Sequence, residues 1–375
     1  MSYGIIKMKI KNWVFGGFIS LAFLVGCGQN EDKRIAPKAR KINLDFEWSS
    51  AESSALKKLS EYGFFEGDLA ELTPVSNVYP YSINTPLFSN YAEKERFVFI
   101  PTKKKITFRA NGLFSFEEGT VLIKNFYYPE GLTDSSNSRK IIETRLLILE
   151  NKNWIPLNYV WNEQQTEATL NYVGKTELVN WIDSNGEKKE VYYKVPNLNQ
   201  CKNCHNSNNT IVPIGLTAAQ LNKYYKPLGD KINQLDYFKK TGVLSNFTHS
   251  SEVSKMPVWN DPKTGSVDER SRAYLDANCA HCHSSQGSAK NSGLYLDYHE
   301  KDTRKRGIFK PPVAAGKGSG NFQYGIVPGK PQESIFIYRL ISNDPAIRMP
   351  EIGRSIPHQE GISLLTTYIK ELKEE

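Results

Sequence analysis

From about residue 95 to residue 195 the chain is a series of short apolar runs rich in β-branched and aromatic residues. They are RFVFIP, KKITFR, TVLIKNFYYP, IIETRLLIL, WIPLNYVW and EATLNYV. Runs of that length and composition read as strands. DSNGEKK, Asp183 to Lys189, is a hairpin turn that leads into EVYYKV. The stretch predicts an antiparallel β domain that holds neither Cys nor His. After Pro196 the texture changes, and LTAAQLNKYY and KINQLDYFKKTG read as helices. DERSRAYLDANCAHCH suits a further helix. In EGISLLTTYIKELKEE, residues Ile362, Leu365, Tyr368, Ile369 and Leu372 share one helical face. A short helix at 51–63, closed by Gly63, precedes the strands. The fold class expected is α+β and multidomain: a β-rich domain over 51–195, a first helical unit over 196–265 and a second over 266–375.

The amino terminus follows a different pattern. Lys7, Lys9 and Lys11 precede an apolar run from Trp13 to Gly26, too short to span a bilayer comfortably. A basic region followed by a short apolar one reads as a secretory signal over residues 1–27. It ends in LVGC, which resembles the bacterial lipobox, so Cys27 is expected to carry the lipid anchor. Gly28 follows where an inner-membrane retention signal would place Asp, which favours the outer membrane, facing the periplasm. The Glu31–Asp32 pair points weakly to the cell surface. Residues 28–50, polar and without periodicity, read as a tether.

Composition adds little to this picture until the cysteines are counted. With 39% hydrophobic and 23% charged residues the chain is globular in type. The net charge of +8, or about +5 without the three leader lysines, is too diffuse to argue for nucleic acid. There are five Cys: Cys27 and two pairs, each in a Cys-x-x-Cys-His motif, at Cys201-Cys204-His205 and Cys279-Cys282-His283. Unprotected thiol pairs in an oxidising compartment tend to form disulfides, so something is expected to occupy these sulfurs.

Three chemistries use Cys-x-x-Cys. A zinc knuckle wants its two pairs about 12–20 residues apart, whereas Cys204 and Cys279 are 75 apart. A redox dithiol needs a βαβ context and no trailing His. Covalent haem uses all three residues, two thiols for the vinyl groups and an imidazole for the iron. Two covalent haem c groups are therefore expected. His281, between the cysteines of the second motif, reads as a solvent-facing loop residue.

For the remaining axial positions, Met349 lies in IRMPEIGR, just before the terminal helix, where a class I cytochrome c places its ligand. The helix before the second motif and the terminal helix are expected to pack together, with Tyr274 and Tyr368 at the contact. For the first haem, Met256 in SKMPVWND, His249 and an open position all stand as alternatives.

These residues bring a resemblance with them. The stretches YSINTPLFSNYAEKERFVFIP, EEGTVLIKNFYYP, ETRLLI, YVWNEQQTEATL, PNLNQCKNCH, INQLDYFKKTGVL, RAYLDANCAHCH, PVAAGKGSG and RMPEIGR resemble a family of bacterial exported dihaem c-type cytochromes of uncharacterised role. They run from about residue 59 to 372. The resemblance implies two cytochrome c-like haem units, and a parallel β-helix repeat protein, often encoded alongside, as a candidate partner. GTVLIKNF also resembles strands of the P460-type β fold, with Lys124 at the position of its cross-linking lysine. The helical segments after Cys204 are foreign to that fold.

Three functions compete. The first is a lipid-anchored electron carrier between redox partner proteins. The second is a haem-dependent oxidoreductase or peroxidase using an open site on the first haem. The third is a ligand-binding protein whose haems report its redox state. A peroxidase would carry a cytochrome domain where the β domain stands here, so electron transfer is the reading favoured.

Overall fold

The computed structural model describes residues 55–130, 139–183, 185–228 and 232–373. Cys27, the leader and the tether lie outside the described residues. The class is α+β. Among the described residues no helix is long and apolar enough to cross a membrane.

Six strands make one antiparallel sheet whose spatial order follows the chain: β1 (Val78–Tyr81), β2 (Glu93–Phe99), β3 (Val121–Pro129), β4 (Arg139–Glu150), β5 (Asn153–Trp161) and β6 (Ala168–Leu170). The turn between β4 and β5 is Asn151–Lys152, both at positive φ, the backbone that lets a two-residue hairpin match strand twist. Alternation gives the sheet two apolar faces. Phe97, Phe99, Val121, Ile123, Leu146, Ile148, Leu157 and Tyr159 pack against Leu59, Tyr62, Phe64 and Leu72. Val98, Leu122 and Leu147 face the other way, onto Leu216, Leu221, Leu235, Phe238 and Leu244. Segments 216–228 and 232–247 therefore lie directly on the sheet.

A bulge in β4 alters this alternation. Phe126 pairs with Glu143 and Tyr127 with Ile141, so Ile142 is the extra residue. Ile142 and Glu143 then both serve the second face, where Phe126 and Tyr128 meet a hairpin, β7 (Lys175–Ile182) with β8 (Lys188–Val195). At its turn Asp183 Oδ1 accepts from the backbone N–H of Asn185 and Glu187, and Gly186 takes φ 82°.

The helices are α1 (Leu198–Cys204), α2 (Gln234–Lys240), α3 (Val267–Leu275), α4 (Ile335–Ile341) and α5 (Gln359–Glu371). A reciprocal Asn197–Gln200 cap starts α1, and a Ser266–Glu269 cap starts α3. α3 widens into a π turn over Asp276–Ala280 that carries Cys279, the first residue of the second motif. Tyr274, Leu275, Leu364, Leu365, Tyr368 and Ile369 share a buried cluster, so α3 and α5 pack together as expected. Gly361 on α5 is what permits the crossing, since a Cβ there would lie 2.3 Å from the Tyr274 hydroxyl.

Several expectations need correction. Of the helix expected at 51–63, residues 51–54 lie outside the described residues. The remainder holds one 3₁₀ turn, Leu59–Tyr62, with Gly63 at φ 65° as its cap. LTAAQLNKYY yields a single turn, Ala218–Leu221, because Asn222 leaves the helical region at ψ 81°. KKITFR contributes Ile106–Thr107, paired in parallel with Leu244–Ser245 outside the main sheet.

Candidate functional site

The two Cys-x-x-Cys-His motifs meet in space. Cys201 and Cys204 occupy the last turn of α1, and His205 closes it by donating its N–H to the Cys201 carbonyl at 3.0 Å. His283 does the same to Cys279 at 2.8 Å. The segments after the motifs are joined by Asn208 N–H to the Gln286 carbonyl and by Ser207 Oγ to Gln286 Oε1, both 3.0 Å. Cys282 Sγ donates to the Asn203 carbonyl oxygen at 3.9 Å, which seats the second motif beside the first. The proximity of the two thiols holds Cys282 down and pushes Cys204 up. Burial pushes the Cys201 thiol up, and Cys279 up to about 12.

Both motif imidazoles are held by one nitrogen. His205 Nδ1 lies 2.8 Å from the Val212 carbonyl, which only accepts, so Nδ1 carries the hydrogen. Burial lowers this ring to about 4, hence it is neutral and its Nε2 keeps a lone pair. His283 Nδ1 lies 3.3 Å from Ser292 Oγ, whose own hydrogen goes to the Ala289 carbonyl at 2.7 Å. Ser292 therefore accepts from Nδ1, and the His283 lone pair also falls on Nε2.

A cavity of about 300 Å³ joins the motifs. Cys201, Cys204 and His205 form one wall and Cys279 and His281 another. Arg96, Leu122, Lys124 and Arg145 of the sheet form its floor, and Arg348, Arg354 and His358 complete it. His281 is therefore no solvent-facing loop residue: it is half-buried in the wall, and its buried Nδ1 has no partner. The tight turn between Cys279 and Cys282, seated against the first motif, draws it in.

The cavity is rich in buried cations. Arg96, Arg348 and Arg354 are 7%, 9% and 5% exposed, yet Arg96 Nη2, Arg348 Nε and Arg354 Nη1 have no acceptor among the described residues. Arg145 is answered by Glu143, fully buried, through Nε at 3.0 Å and Nη2 at 2.5 Å; Tyr193 donates to the same carboxylate at 2.6 Å. His358 stacks on Phe88 at 4.2 Å, has Trp259 edge-on at 4.8 Å, and shares a 2.9 Å hydrogen bond with the Tyr274 hydroxyl.

The remaining candidates lie nearby but apart. Met349 is half-buried between α4 and α5, its N–H bound to the Arg339 carbonyl at 3.1 Å and its carbonyl accepting from Arg354 Nε at 2.9 Å. Its neighbours Arg348 and Pro350, rather than Met349, line the cavity. Met256 is buried, with its N–H on the Ala219 carbonyl at 3.0 Å, and is no part of the cavity wall either. His249 is at the surface with a 62% exposed side chain, bonded to Ser251 and near Asp236. Among the described residues no three His, Cys, Asp or Glu side chains converge to hold a metal ion.

Sequence reading missed Arg96, Glu143, Arg145, Arg348, Arg354 and His358. The two arginines that flank Met349 in RMPEIGR were a visible signal. Glu143 and Arg145 looked like ordinary strand residues; regular alternation with Leu147 puts them on the cavity side. Comparison with protein-family models, curated proteins and solved structures gave no match.

Proposed function

We propose that this chain is a c-type cytochrome with two covalently attached haems, working in electron transfer, with two cytochrome c-like haem-binding units built onto the β-rich part. Cys201, Cys204 and His205 would hold one haem and Cys279, Cys282 and His283 the other. The observation that carries this reading is the state of the two imidazoles. Each spends Nδ1–H on a fixed oxygen and leaves Nε2 free, which orients a histidine for iron and strengthens it as a ligand. A zinc cage drawing on both motifs finds no support, since the side chains do not converge on one point.

The buried guanidinium groups fit the same cofactor. Arg348 and Arg354 line the cavity, each with a buried N–H that has no acceptor among the described residues; carboxylates of a bound haem would pair with them and remove the cost of leaving those donors dry. Haem supplies reversible one-electron chemistry when bound. The chain excludes water through the Tyr274–Leu365 cluster and holds both histidines neutral. Met349 would be a thioether ligand for the haem of the second motif, and Met256 remains the Met candidate for that of the first. Cys27 is proposed as a lipid-bearing residue that tethers the protein at the outer membrane, facing the periplasm or the cell surface. Its partners are then redox proteins, a parallel β-helix repeat protein among them.

Intact mass after acid–acetone extraction tests the core of this reading. It should exceed the polypeptide mass by two haems in the wild type and by one in a Cys201→Ala/Cys204→Ala variant. A wild-type mass with no haem increment would overturn it.

A further inference from the structure

The hairpin β7–β8 has one buried face and one bare one. Val179, Trp181, Val191, Tyr193 and Val195 are buried in the cluster beneath it. On the other face Leu178 and Tyr192 stand opposite each other in register, 44% and 63% exposed. Tyr172 and Val173, in the turn that leads into β7, are 42% and 82% exposed. Exposed apolar residues gathered in one place mark a surface that something covers. Among the described residues β7 and β8 pair only with each other, and a two-stranded ribbon is marginal by itself. The edge of β7 therefore offers backbone groups beside an exposed apolar pair, the arrangement that accepts a further strand.

The chain brings a strand-like stretch to this place. Its described part begins at Ala55. Lys58 bridges Thr169 in the antiparallel sense, and Leu170 donates its N–H to the Lys57 carbonyl at 2.9 Å. The entering chain thus runs antiparallel to β6 and beside Leu170, two residues before Tyr172. Upstream, Ile42, Leu44, Phe46 and Trp48 alternate with Asn43, Asp45 and Glu47. The tether as a whole lacks periodicity, but this part of it has the period of two that a half-buried strand requires. Trp48 is seven residues from Ala55, and Leu178 is six from Tyr172. Each span is about 20 Å of extended chain, so the reach matches.

Charge follows the same order. Beyond the apolar stretch, toward the amino terminus, stand Lys41, Arg40 and Lys38. Beyond Leu178, toward the hairpin turn, lies a cavity lined by Glu93, Asp183, Glu187, Glu190 and Glu360, against Lys189. A segment laid antiparallel to β7 would carry its basic end to that acidic turn.

We propose that the outer edge of β7 is a docking site for residues 42–48 of the same chain, which add to the hairpin as a third, antiparallel strand. Ile42, Leu44, Phe46 and Trp48 lie on the side of Leu178 and Tyr192 and extend that pair into an apolar row across three strands. Such a strand is independent of the cofactor, and it leaves only the residues before Lys41 as free tether. Deuterium exchange read by mass spectrometry on the purified full chain tests it. In the wild type the amides of 42–48 should exchange about tenfold or more slowly than unstructured chain. Leu178→Asp, Tyr192→Asp and Phe46→Asp should each abolish that protection, while Val313→Asp, at a similarly exposed apolar residue, leaves it intact. Phe46→Asp should also speed exchange along Lys175–Ile182, which locates the contact even if a hairpin variant fails to fold. Exchange of 42–48 at the unstructured rate in the wild type would overturn the proposal. So would protection that survives the three substitutions, exchange along Lys175–Ile182 that Phe46→Asp leaves unchanged, or protection that grows with protein concentration and so marks a second copy of the chain.

Discussion

Gly361→Ala is expected to loosen the crossing of α3 and α5. A Cβ on residue 361 would stand 2.3 Å from the Tyr274 hydroxyl oxygen, 2.4 Å from Cζ and 2.7 Å from Cε2. The ring has to retreat by about 1 Å to regain ordinary contact near 3.5 Å. Tyr274 has little freedom to do so. It is 4% exposed, bonded to His358 Nδ1 at 2.9 Å and edge-on to Trp259 at 5.6 Å. Overpacking costs about 1–3 kcal/mol, and a buried hydroxyl parted from its partner about 1–3 kcal/mol. The better helix propensity of Ala returns about 1 kcal/mol. A net loss of about 2–3 kcal/mol is therefore expected in urea unfolding followed by tryptophan fluorescence. Tyr274→Phe should not rescue the variant, since the two ring carbons still clash. Tyr274→Leu in the Gly361→Ala background should recover part of the loss. Wild-type stability in Gly361→Ala, or full rescue by Tyr274→Phe, would refute this account of the crossing.

Glu143→Leu strands Arg145 among other cations and should cost about 3–5 kcal/mol in the same assay, with Glu143→Leu/Arg145→Met recovering much of it. His358 is lowered from the ordinary histidine value to about 4, chiefly by burial, so the unfolded chain binds the proton more tightly than the folded one. Its contribution, roughly 3 kcal/mol, is complete above about pH 6.5 and is lost as pH falls toward 4. In His358→Phe the pH dependence of stability across that window should flatten. On the proposed two-haem reading, Met349→His should lower the midpoint potential of one haem in a spectroelectrochemical titration and leave the other nearly unchanged; two unchanged potentials would leave Met349 a packing residue.

The strands legible in the sequence are those rich in β-branched and aromatic residues, β2 to β6 and β8. β1 escaped notice because Pro80 lies inside it, which the sheet tolerates at its edge. β7 escaped because every other residue faces solvent, leaving Val179 and Trp181 as its buried anchors. α4 reads IFIYRLI, a composition that suits a strand as well as a helix, and its surroundings decided the matter. The motif cysteines and histidines were visible because each Cys-x-x-Cys-His set is contiguous in the chain. The row Arg96–Lys124–Arg145 was invisible because pairing register, set across intervening loops, is a property of the folded sheet. His358 likewise acquires its setting from Phe88, Trp259 and Tyr274, all distant in the chain.

The seating of the second motif against the first bears on how this protein is made. Cys282 and Asn203, the residue before Cys204, come from distant stretches of chain and meet only once α1 and the turn after α3 have docked. A chain that folded in an oxidising compartment with its sulfurs bare would have one thiol from each motif in reach of the other, ready to be tied together by an oxidant. On the two-haem reading, attachment has to outrun docking. The cofactors are then installed on an open chain, and closure of the fold is the last step of assembly.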